Sequence, residues 1–147
     1  MNEINWSHEY SVGNQSLDNQ HQKIISLINQ LIKLENSTFS FDQLKKLINE
    51  LNQYASEHLE YEETLLNQLD YPDYNNHILK HQLYKETIKR FSDKCLLHKE
   101  KSVVLSYTQF LYHWWNEHIL KEDMQYKNFI DIHLVNDENN KTRDIAC

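Results

Sequence analysis

One glycine, Gly13, and one proline, Pro72, are all the backbone punctuation in 147 residues. Sandwiches and barrels turn about every 8–12 residues and build those turns from Gly, Pro and Asn-Gly pairs. A chain without that supply must run in long helices joined by a few short polar loops. Its hydrophobic share, 39%, is enough to fill one core of ordinary domain size. The formal charge of −7 argues against duplex nucleic acid and anionic membranes as partners, since both reward clustered Lys and Arg. Residues 1–20 lack the apolar centre of a signal peptide, and no later run is long enough to span a bilayer, so a cytoplasmic protein is expected. Cys95 and Cys147 match no paired metal or redox spacing, and a buried thiol and a tail thiol are the simple readings.

The hydrophobic period predicts four helices. The first, about 17–36, carries Ile24, Ile25, Ile28, Leu31 and Ile32 on one face, with Ser16 as N-cap and Asp18 at the positive helix end. Its stripe also holds His21. The second opens at Ser40, whose spacing to Gln43 fits a capping box, and its stripe runs through Leu44, Ile48, Leu51, Ala55, His58, Glu62, Leu65 and Leu69. Pro72 suits the first turn of the third, with Tyr74, His77, Ile78, His81, Tyr84, Ile88, Phe91 and Cys95 inward. Ser102 is the expected cap of the fourth, whose face is Val104, Tyr107, Leu111, Trp114 and His118, continuing to Asp123. Short connections favour antiparallel neighbours, so the expected architecture is an all-α, up-down-up-down four-helix bundle in a single domain over 1–147. An arm over 1–15 precedes a bundle over about 16–130. An Asn- and Asp-rich tail over about 131–147 follows it.

Several polar residues therefore fall on faces that should be buried. A lone histidine on an apolar face is usually a hydrogen-bonded core residue, but here the pattern repeats across helices. His58 and Glu62 are four apart, as are His77 and His81, so each pair projects from one face. Five imidazoles and two carboxylates left unpaired in a core would cost several kcal/mol per group, whereas metal coordination satisfies them together. His118 and Asp123 are five apart, which swings the second about 140° around an α-helix and predicts that they flank the metals rather than stack. Two metals of about six ligands offer about twelve positions. Five histidines, two bridging carboxylates and a bridging oxygen fill all but one, leaving room for a single small ligand. Zinc is less natural, because it favours four ligands.

The segments Leu17-Asp18-Asn19-Gln20-His21, His58-Leu59-Glu60-Tyr61-Glu62-Glu63, His77-Ile78-Leu79-Lys80-His81 and Trp114-Trp115-Asn116-Glu117-His118, with Asp123 five residues on, resemble the hemerythrin pattern. Trp6 and the segment Tyr10-Ser11-Val12-Gly13 resemble the arm of its bacterial members, and the resemblance spans about residues 4–128. It implies two non-haem iron ions with a bridging oxo or hydroxo group. His77, His81 and His118 would bind one iron and His21 and His58 the other, with Glu62 and Asp123 as bridges. It also implies reversible dioxygen binding at the iron with two histidines, for storage, delivery or sensing, with dioxygen as the partner. The competing readings are a di-iron enzyme acting on peroxide or nitric oxide, or an iron donor or store. No Glu-x-x-His pair occurs, which argues against the ferritin-like oxygen-activating enzymes.

Trp114 matches the tryptophan of that pattern, while Trp115 stands where relatives commonly have Leu. Both are expected at the ligand pocket: Trp115, three residues before His118, must narrow the pocket, displace a neighbour or point away. Asp18, Glu63 and Tyr126 are close enough in sequence to the proposed ligands to orient them by hydrogen bonding. Their simpler roles are helix start, solvated charge and core. His8, His98, His113 and His133 read as surface residues.

Overall fold

The structure, a computed structural model, describes residues 1–133. Among them there are four long helices and no strand: α1 Gln15–Glu35, α2 Phe41–Gln68, α3 Tyr74–His98 and α4 Lys101–Glu117. A π-helical turn, His118–Asp123, continues α4 without a break, and residues 124–133 are again α-helical. Packing joins α1 to α2, α2 to α3, α3 to α4 and α4 to α1, the closed ring of an up-down-up-down bundle. No helix of the described residues is long and apolar enough to cross a membrane.

Caps decide where the helices start, and three differ from the sequence reading. The α1 cap is Asn14, whose side chain accepts from the Leu17 N–H at 3.1 Å, and Ser16 lies inside the helix, exposed. Gly13, at φ +75°, makes the turn into that cap, a conformation that favours a residue without Cβ. Pro72 lies in the turn before α3, two residues ahead of its start; Asp70, at φ +52°, has already turned the chain out of α2. The α4 cap is Glu100, without a side-chain bond, and Ser102 is already helical. The Ser40–Gln43 capping box of α2 forms as expected.

Two apolar clusters fill the interior. The larger includes Ile24, Ile28, Leu31, Ile48, Leu51, Leu59, Leu111, Trp115 and Ile119; the smaller gathers Val12, Leu17, Leu66, Tyr71, Tyr126 and Ile130. On α2 the smaller cluster takes Leu66, and Leu65 is only half-buried. The arm is firmly docked: the Asn29 side chain bonds both the N–H and the C=O of Ile4, and the Tyr10 hydroxyl donates to Asn116 at 2.7 Å. The expected tail at 131–147 begins as the last turn of helix, 131–133; the rest of it, with Cys147, lies outside the described residues. Cys95 is buried as expected, and burial pushes its thiol up to about 11.

Candidate metal centre

Between the two apolar clusters lies one polar layer. His21 follows Leu17 and precedes Ile24; Glu62 stands between Leu59 and Leu66; His77 and His81 precede Tyr84; His118 and Asp123 bracket the π turn. Each helix contributes where its stripe passes from one apolar cluster to the other. All seven side chains are at most 3% exposed.

The π turn resolves the awkward spacing of the last pair. The expectation that Asp123 flanks the centre, swung well away from His118, holds only for α-helical geometry. With i→i+5 hydrogen bonding a residue and the fifth after it stack on one face, and Asp123 Oδ1 lies 3.0 Å from His118 Nε2.

The two carboxylates each look both ways. Asp123 turns Oδ1 towards His118 and, at 3.5 Å, His77, and Oδ2 towards His21 at 3.2 Å. Glu62 turns Oε1 towards His77 at 2.5 Å and His81 at 3.2 Å, and Oε2 towards His58 at 3.6 Å. Two donor groups result, Glu62 with His77, His81 and His118, and Glu62 with His21, His58 and Asp123; within each, the ligand atoms lie within 4.8 Å of one another.

The chemistry of these atoms fits metal ions. Among the described residues, His21 Nδ1 and Nε2, His58 Nε2 and both oxygens of Asp123 are buried without a hydrogen-bond partner, a costly condition that coordination would relieve for all but His21 Nδ1. The imidazoles and carboxylates of the layer also set one another's charge. Burial would raise the Glu62 carboxyl, but the imidazoles of His118, His77 and His81 facing it outweigh that and hold the group well below its usual range. Asp123 is likewise pushed up by burial and by Glu62, yet His118 and His21 bring it down to about 2. Burial lowers His58 to about 3, helped by His21. His118 is desolvated too, but the Asp123 charge overrides that and raises it to about 10.

Around the layer, Glu63 Oε1 lies 2.9 Å from His81 Nδ1, and the Tyr126 hydroxyl donates to Glu62 Oε2 at 2.6 Å, both orienting contacts of the expected kind. Asp18 does something else: its carboxylate accepts from the Ser11 hydroxyl and the Val12 N–H, tying the arm to α1. Sequence reasoning missed Gln20, whose Oε1 lies 2.7 Å from His58 Nδ1, and Lys85, 3.3 Å from Glu63 Oε1. Their only signal is a polar residue one step off a ligand stripe. Trp114 stacks flat on His118, rings 4.2 Å apart and 13° from parallel. Trp115 is wholly buried 5.6 Å from the His58 ring, with its indole N–H donated to the Tyr84 hydroxyl. His8, His98 and His113 are exposed; His133 is instead half-buried, with Nδ1 on the Phe129 carbonyl.

The family described as the hemerythrin HHE cation binding domain matches residues 12–130. A bacteriohemerythrin of Clostridium acetobutylicum is 28% identical over 124 residues, covering 82% of this chain and 96% of that protein. A hemerythrin-like protein of Naegleria gruberi is 31% identical over 127 residues, covering 86% and 93%. In fold, the chain resembles a crystal structure of a hemerythrin with one leucine replaced by alanine, at a TM-score of 0.79 and 24% identity, over 87% of this chain and 97% of the other. With all seven residues of its polar layer in the matched segment, this chain belongs to the hemerythrin family.

Proposed function

We propose that this protein binds dioxygen reversibly at a non-haem di-iron centre, held by His21, His58, Glu62, His77, His81, His118 and Asp123. The observation that carries the proposal is the pair of carboxylates that face both donor groups, the arrangement two adjacent cations require. A ferrous pair held by these residues would supply two electrons to dioxygen.

The chain supplies the rest. His77, His81 and His118 complete one half, and His21 and His58 leave the other half one donor short. Trp115 closes the interior beside His58, in the half where the small ligand would sit, while Trp114 backs His118 in the other half. The apolar clusters above and below would keep water from a small ligand bound in the layer. The Tyr126 hydroxyl holds Glu62 in place from the side of the smaller cluster.

Ferrous protein exposed to air and then degassed should colour and bleach over repeated cycles, with two irons per chain. Irreversible oxidation in the first cycle would overturn the carrier reading in favour of an enzyme or an iron donor.

A further inference from the structure

We infer that the two halves of the centre are made electronically unequal by the side chains their histidines donate to, so that the ion held by His77, His81 and His118 is the easier to oxidise. The inference rests on the di-iron reading above. An imidazole that binds a metal through Nε2 keeps its N–H at Nδ1, and the acceptor of that hydrogen bond sets how much electron density the ring passes to the metal. His81 has Glu63 Oε1, a carboxylate oxygen, at 2.9 Å. His58, in the other half, has the amide oxygen of Gln20 at 2.7 Å. Both bonds are short, and their acceptors differ in charge, a difference that adds to the third histidine of the half holding His81.

A hydrogen bond to an ionised acceptor is roughly twice as strong as one to a neutral acceptor, and it leaves the donating ring the more basic. Among the described residues the His21 Nδ1 has no acceptor, so that ring brings no anion to its side. The half holding His81 therefore has an anionic support that the half holding His21 and His58 lacks. Lys85 works against it: its ammonium lies 3.3 Å from the same Glu63 oxygen and draws back part of the charge. Glu63, Lys85 and Gln20 form a graded set, and none of them belongs to the proposed ligands. Glu63 is 20% exposed and Lys85 36%, so both can be changed without opening the core.

The test is a spectroelectrochemical titration of the iron-loaded protein, with the mixed-valence state followed by electron paramagnetic resonance. Glu63→Gln should disfavour oxidation of the first couple about tenfold, about 59 mV upward for a one-electron step. Lys85→Met should move the same couple downward, and Gln20→Glu should narrow the gap between the two couples. Opposite signs for Glu63→Gln and Lys85→Met are what a merely structural role would not produce. Potentials that stay put, or that move together, in variants carrying two irons per chain would overturn the inference and leave the di-iron reading standing. A wild-type protein without two redox-active irons would instead end that reading. Should Glu63→Gln fail to load, Lys85→Met, which touches no proposed ligand, decides alone.

Discussion

His77 and His118 have no substitutes on their own stripes, because the remaining histidines, His8, His98, His113 and His133, all lie away from the polar layer. His77→Ala or His118→Ala should lose at least one iron per chain and lower the melting temperature markedly, since metal-binding free energy is also folding free energy. Metal analysis and a melting curve check both; two irons and an unchanged melting temperature would remove the residue from the ligand set. His98→Ala, at an exposed position, should change neither. Trp115 calls for a different measurement. Its indole fills the space beside His58 and is pinned by Tyr84, so Trp115→Leu should open room next to the centre. We expect azide association to accelerate several-fold with iron content unchanged, and equal rates would make Trp115 a packing residue only.

At the level of the element, the π turn is the device that lets one continuous helix present two donors five residues apart. Ordinary α-helical geometry would set them about 140° apart, and the extra residue in the turn removes that angle. Helix starts obey a different competition. Ser16 and Asn14 are both good capping residues, but Gly13 turns the chain just before Asn14, so Asn14 reaches the first free N–H groups. Asn14→Ala should therefore cost about 1 kcal/mol in chemical unfolding, and Ser16→Ala only a few tenths. The reverse order would return the cap to Ser16.

For the molecule as a whole, the polar layer sets how stability follows pH in metal-stripped protein. His118 is raised to about 10, so its stabilising charge is fully present below its ordinary value of about 6.5 and is lost as pH climbs through about 10. His58 is lowered to about 3, so the folded chain refuses a proton that the unfolded chain accepts, and stability falls as pH drops from about 6.5 towards 3. Melting temperatures of the stripped protein should peak near pH 6.5 and decline on both sides. Iron loading should abolish the alkaline decline, because the His118 nitrogen then faces a metal rather than a proton; a stripped protein with a flat profile would contradict these charges.

The helical class, the four stripes and the seven residues that meet in the polar layer were legible in the sequence alone. Helical periodicity converts sequence spacing into a face whatever the rest of the fold does, so His58 with Glu62, and His77 with His81, had to project together. Tertiary structure alone decided what depends on a neighbouring helix. Gln20 and Lys85 are polar residues just off a stripe, indistinguishable from solvated ones until α1 packs on α2 and α2 on α3. From the sequence Asp18 could orient a ligand or favour the helix start, and the docked arm took its carboxylate instead. The divided apolar core decided the rest: it buried Leu66 in place of Leu65 and put the polar layer between two dry clusters, which no single helix's pattern contains.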